Sequence, residues 1–223
     1  MKNPQLQLLL RLGLVAALVS CIADVLLLYV QEGGYEQGDY SFLFGVSATR
    51  LLWGTYLGFL AIPFQLLGFL AVRQVLLPAG RQLVNGLSGL VFFLTVVGTA
   101  YHGQLGLYGF FMQQLNVGLK NAQLLTGLKN CPAFFEPLST ILMLLYVILS
   151  ILLAYCVAYK PTHYRYRWVA WGNPALIYLV LLGFYWLNKP IGGLFMVAGL
   201  NFSIFLWLLL TLLYTHWDNL NNQ

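Results

Sequence analysis

Charge is what this chain has least of: only 8% of its 223 residues are Asp, Glu, Lys or Arg. A soluble domain carries roughly 25%, because its surface has to be hydrated, so lipid must cover most of this one. Cysteine is also scarce. Cys21, Cys131 and Cys156 are the only three; they make neither a disulfide framework nor a zinc spacing, and they read as packing residues. Three histidines are present, and His163 and His216 fall on the opposite side of the membrane from His102. No metal site and no cofactor is therefore expected. There is no Walker loop, HExxH or GxSxG to suggest nucleotide, zinc-protease or serine-hydrolase chemistry. No arginine ladder suggests a voltage sensor. The net charge of +5 comes from eleven scattered Lys and Arg residues, which is a topology signal and not a nucleic-acid footprint.

What the chain has in abundance is apolar length, with 60% hydrophobic residues and a mean hydropathy of +0.78. At about 20 residues per crossing, the runs bounded by charge or turn residues predict spans near 8–30, 51–73, 84–112, 136–159, 168–187 and 191–215. The expectation is an all-α polytopic bundle of six transmembrane helices, forming one domain over residues 1–223. The third run is long enough to tilt or to project beyond the bilayer. With both termini cytoplasmic, Lys2, Arg11, Arg73, Arg81, Lys160, Arg165 and Arg167 lie inside, against Arg50, Lys120, Lys129 and Lys189 outside; the positive-inside rule favours that orientation. "LVSC" at 18–21 resembles a lipoprotein cleavage site that would lipidate Cys21. The apolar run continues past it to Val30, so it reads as a span. The two long connections, 31–50 and 113–135, then face outward. The second mixes Leu115, Leu119 and Leu125 with polar residues at nearly helical spacing, as an interfacial helix would; its two glycines fit a polar loop with leucines equally well. Tyr164, Tyr166, Trp168, Trp171, Tyr185 and Trp186 bracket the fifth run as interfacial anchors.

Asp24 stands in the middle of the first apolar run. A carboxylate there costs about 2.5–3.5 kcal/mol on insertion scales, so it is expected to face the bundle and to have a partner at its own depth. Counting about 1.5 Å per residue from the inner boundaries puts His102 of "GTAYHGQLGLYG" level with it, provided the first and third helices pack together. Gly98, Gly103, Gly106 and Gly109, with the "GTYLG" pair at 54–58, favour close approach. Thr95, Thr99 and His102 share one helix face, and Ser20 lies one turn below Asp24. Together they form a candidate site in the outer half of the bilayer, with Asp24 and His102 as catalytic candidates. Ser20, Thr95, Thr99, Glu136 and Asn201 are binding candidates, Glu136 bordering the cluster from the fourth helix. Each residue also has a plainer reading: Asp24 and His102 as a structural pair, Glu136–Pro137 as a helix start, Asn201 and Gln65 as interhelical glue. Gln65 is placed to satisfy backbone groups freed by Pro63, and Asn173 to cap a helix beginning at Pro174.

"SATRLLWGTYLGFLAIPFQLLGFLAV", "AYHG" and the early Asp24 together resemble a family of small six-helix bacterial integral membrane proteins without a known function. The resemblance implies that fold and a bacterial inner-membrane location, but no activity. An aspartate before an aliphatic run is also similar to the lysoplasmalogenase-type membrane enzymes; those have eight spans and further acids that this chain lacks, so their reaction is not carried over.

Three functions remain open. In the first, Asp24 orients His102 as a general acid or base on a lipid-like molecule entering from the outer leaflet; Ser20 and Tyr101 are the nearest nucleophile candidates. In the second, the pair relays protons in a small-solute carrier built as three plus three helices. In the third, the polar groups hold helices together and the outer loops meet a partner. Membrane lipids are the expected surroundings, nucleic acid is not an expected partner, and association into a homo-oligomer is compatible with all three.

Overall fold

The computed structural model describes residues 4–30, 40–117, 127 and 130–217. The first four apolar runs become long helices, interior glycines included: α1 (Pro4–Leu28), α2 (Ala48–Leu76), α3 (Arg81–Val117) and α4 (Pro132–Tyr159). Three shorter helices follow, α5 (Pro174–Leu187), α6 (Lys189–Val197) and α7 (Gly199–Tyr214), and no strand occurs among the described residues. The first four are long and apolar enough to cross a membrane, which makes this a membrane protein by length and composition. At about 1.5 Å per residue, α3 extends roughly 55 Å, beyond a bilayer with its headgroups.

The last third departs from the expectation of two further straight spans. The apolar run 168–187 begins as a 3-10 turn, Arg167–Gly172, because Pro174 forces Asn173 into an extended conformation. Asn173 Oδ1 then accepts from the Leu176 N–H at 3.2 Å as the helix cap. That leaves α5 only 14 residues, roughly 21 Å, against a hydrocarbon core of about 30 Å. The run 191–215 is bent by 73° between α6 and α7. Glycines govern this end of the fold: a Cβ on Gly192 would overlap the Tyr185 backbone, and one on Gly199 would meet the Tyr178 ring. The described helices thus supply four spans, or five if the bent pair counts as one.

The helices α1, α2 and α3 run antiparallel in turn. Gly13 lies against Gly68, and Gly54 against Ala23 and Leu27, so α1 and α2 touch nearly backbone to backbone. The "GTYLG" pair divides its work, with Gly54 facing α1 and Gly58 facing α3. Arg50, at the start of α2, donates from Nη2 to the carbonyls of Val25 at 3.0 Å and Tyr29 at 2.6 Å. The Val25 carbonyl also accepts the Tyr29 N–H at 3.1 Å, whereas the Tyr29 carbonyl lies past the last turn of α1, where helix acceptors lack intrahelical donors. At the other end the connection after α4 is stitched in: the His163 N–H donates to Val75 at 3.0 Å, and the Arg165 N–H to Tyr214 at 2.8 Å. Buried Tyr164 shares a hydrogen bond with Thr211 Oγ1 at 2.8 Å; burial raises its phenol above the ordinary range, so it stays neutral. Outside the bundle, Trp53, Tyr56, Phe59, Leu60 and Phe64 make an exposed apolar face on α2, as a lipid-facing helix requires. The expected interfacial helix with Leu119 and Leu125, and the acids Glu32, Glu36 and Asp39, lie outside the described residues.

Candidate functional site

Asp24 is buried on the bundle side of α1, and its two oxygens have different partners. Oδ1 lies 3.3 Å from His102 Nδ1, and Oδ2 accepts from Asn201 Nδ2 at 2.7 Å. From Asn201 the chain of polar contacts continues down the bundle. Gln65 Nε2 donates to Asn201 Oδ1 at 2.7 Å and to Ser20 Oγ at 2.9 Å, and the Ser20 hydroxyl donates to the Ala16 carbonyl at 2.9 Å. One residue each from α2, α3 and α7 thereby converges on α1. Such closure is what an acid in hydrocarbon requires, since every unpaired polar group there is costly.

The meeting of Asp24 with His102 does not come about by direct packing of α1 on α3. Both helices pack on α2, and the imidazole crosses to α1 over Gly58, where any Cβ would overlap the ring. His102 Nε2 donates to the Gly54 carbonyl oxygen at 2.9 Å. A carbonyl only accepts, so Nε2 carries a hydrogen. Nδ1 and Asp24 Oδ1 must then share one proton, either as imidazolium with carboxylate or as imidazole with carboxylic acid. The pair is net neutral in both forms. With both ring nitrogens engaged, His102 presents no free nitrogen to a substrate.

Beside this network is a cavity of about 120 Å³. Asp24, His102, Asn201, Gln65, Thr95 and Tyr101 supply its polar lining, while Ile62, Phe69, Leu94, Leu142, Leu200 and Ile204 are among its apolar walls. Apolar cavities of about 150 Å³ accommodate a benzene-sized molecule, so the space suits one end of a larger amphiphile. Tyr101, in the lining, has its hydroxyl 3.0 Å from that of Tyr40. Val197 and Leu200, on either side of the bend between α6 and α7, reach the same cavity. Tyr146 also lines it and hydrogen-bonds Ser203.

The candidates singled out in the sequence fare differently. Asp24, His102, Asn201 and Ser20 join one network, and Thr95 lines the cavity while its hydroxyl donates back to Val91 at 2.9 Å. Thr99 does not line the cavity; its hydroxyl bonds the Thr95 carbonyl at 2.8 Å, as is common for threonine inside a helix. Glu136 is a correction: it is exposed in the first turns of α4 and away from the cavity lining, because its neighbour Phe135 takes the inward position there, its ring packing on Tyr108 at 5.3 Å. Gln65 bonds Asn201 and Ser20 as interhelical glue, which replaces the expectation that it serves groups freed by Pro63. Sequence reasoning missed the Gly54 carbonyl and the Tyr40–Tyr101 contact. The glycine pair hinted at the former; nothing signalled the latter. No cluster of three or more His, Cys, Asp or Glu side chains that could hold a metal exists among the described residues.

No curated protein and no solved structure matches this chain. A family model does, over residues 1–217. The chain belongs to that family, DUF6796, a family of unknown function.

Proposed function

We propose that this is a multi-pass protein of a bacterial inner membrane, with both termini cytoplasmic, that binds the polar end of a lipid-like small molecule at the Asp24–His102 cavity from the outer leaflet. The observation that carries this reading is a largely apolar cavity with one continuous polar wall, Asp24, Asn201 and His102. An amphiphile matches both surfaces: its apolar part replaces water against Leu94, Leu142 and Ile204, and its head exchanges hydrogen bonds with Asp24 or Asn201. Binding is favoured over turnover because both nitrogens of His102 are already engaged. The test is mass spectrometry of small molecules retained by the purified chain, compared with Asp24→Leu and Asn201→Leu. An amphiphile retained by the parent and depleted about tenfold in both variants, a loss of about 1.4 kcal/mol, supports the reading. Equal retention in all three overturns it.

A second reading, a proton-coupled carrier, draws on the bend beside the cavity. Broken helices frame the binding sites of many transporters, and the 73° bend between α6 and α7 sets Val197, Leu200 and Asn201 around the shared proton of Asp24 and His102. Solute uptake that acidifies a weakly buffered vesicle interior, and fails to do so in Asp24→Asn, would favour it. A purely structural network predicts neither retained ligand nor coupled uptake.

A further inference from the structure

At the opposite end of the bundle a groove of about 760 Å³ runs between α4 and the Arg167–Gly172 turn. Its floor is small, with Ser150, Ala154 and Ala158 recurring every fourth residue on α4. Its walls are aromatic: Tyr155 and Tyr159 on one side, Trp168 and Trp171 on the other. These rings are held outward, Trp171 being 76% exposed and Tyr159 74%. From Ser150 to Tyr159 the groove runs about 14 Å along the helix axis. At Arg167 it meets a polar concavity of about 200 Å³ that Lys160 and Arg165 also line. Lys160 Nζ lies 5.6 Å from the Tyr155 ring centroid, joining the basic mouth to the aromatic wall. The sequence from Pro137 to Trp217 contains no Asp or Glu, so no acid of the described elements around this mouth offsets Lys160, Arg165 and Arg167.

We propose that this groove and its mouth form a binding site for an anionic phospholipid, with one acyl chain along α4 and the phosphate at Lys160, Arg165 and Arg167. Charge complementarity selects the head: the guanidinium forks match phosphate oxygens in pairs, and basic pockets between transmembrane helices are suited to anionic headgroups. Length selects the tail, since an apolar trough of this reach opening at a basic mouth fits an acyl chain and is wasted on a free anion. The site is separate from the Asp24 cavity and does not depend on the function assigned to it.

The test is native mass spectrometry of the full chain in detergent, titrated with phosphatidylglycerol and with phosphatidylcholine of identical acyl chains. Phosphatidylglycerol is expected to bind about tenfold more tightly, each nearby cation contributing several-fold. Arg165→Gln with Arg167→Gln should abolish that preference, whereas Arg73→Gln with Arg81→Gln, at the same end of the bundle, should leave it. Trp171→Ala should weaken both lipids and keep the preference. Equal affinity for the two lipids overturns the site, as does loss of preference in the Arg73 and Arg81 variant, which would signal diffuse charge. Displacement of the lipid by millimolar inorganic phosphate would reassign the mouth as an anion site and overturn the lipid. If the Arg165 and Arg167 variant does not fold, quenching of the native tryptophans by brominated phosphatidylglycerol against brominated phosphatidylcholine reads the same preference on the unaltered chain. Equal quenching there overturns the site too.

Discussion

The carbonyl oxygen of Gly54 lies 2.9 Å from Nε2 of His102, and this contact determines the proton inventory of the buried site. Because the carbonyl holds a hydrogen on Nε2, whatever proton the Asp24–His102 pair carries lies between Oδ1 and Nδ1. Nitrogen-15 spectra of the histidine-labelled protein are expected to show a protonated Nε2 on His102. A protonated Nδ1 with a bare Nε2 would reverse this account of the site.

Replacing Asp24 by asparagine separates the structural role from the protonic one. The new carboxamide oxygen can accept from Asn201 Nδ2, and its NH2 can donate to the Nδ1 lone pair of neutral His102, so both contacts survive without a shared proton. Thermal unfolding in detergent should place Asp24→Asn within about 1 kcal/mol of the parent. Asp24→Leu should cost about 3 kcal/mol or more, since it strands two buried polar partners. A leucine variant as stable as the asparagine variant would show that the network contributes little.

Gly58 is the notch through which the imidazole reaches α1. A methyl group there overlaps the ring of His102, so Gly58→Ala should destabilise by about 1–3 kcal/mol, as overpacking does. It should also perturb the His102 nitrogen signals. Gly86, with nothing within 4 Å of a would-be Cβ, serves as the control: Gly86→Ala should be neutral or stabilising by up to about 1 kcal/mol. The same loss at both positions would mean that helix propensity, and not the notch, sets the effect.

Arg50 closes the end of α1 through the carbonyls of Val25 and Tyr29. Arg50→Gln is predicted to lose about 1.5–3 kcal/mol, the range for hydrogen bonds to charged groups. Hydrogen exchange should rise in the last turn of α1 while the centre of that helix stays protected. Unchanged protection in that turn would show that water replaces the guanidinium without cost.

Asn201 links Asp24 to Gln65, so the two amides should be energetically coupled. A double-mutant cycle with Gln65→Leu and Asn201→Leu is expected to give about 0.6–1.7 kcal/mol, the span seen for hydrogen bonds between membrane helices. Additive single effects would mean that the two residues act independently despite their 2.7 Å contact.

The amino-acid sequence by itself determined the membrane character and the first four long helices. That information is local: an apolar stretch of sufficient length with few charges partitions into lipid whatever its neighbours do, and an acid within it must face inward. The depth of Asp24 and His102 is local too, because a helix rises by a constant amount per residue. Tertiary structure decided the remainder. Asp24 meets His102 across α2, over a glycine whose importance depends on which helix faces it. Asn201 joins them because α7 starts at the bend after Val197, with Gly199 set against the Tyr178 ring of α5. Glu136, expected to border the cluster from the start of the fourth helix, is exposed, because side-chain direction follows from packing and not from position along the chain. A sequence specifies which residues cannot remain unpaired in lipid; only the contacts between distant segments choose the partners, since hydrogen bonds act over about 3 Å and chain separation sets no limit on who arrives there.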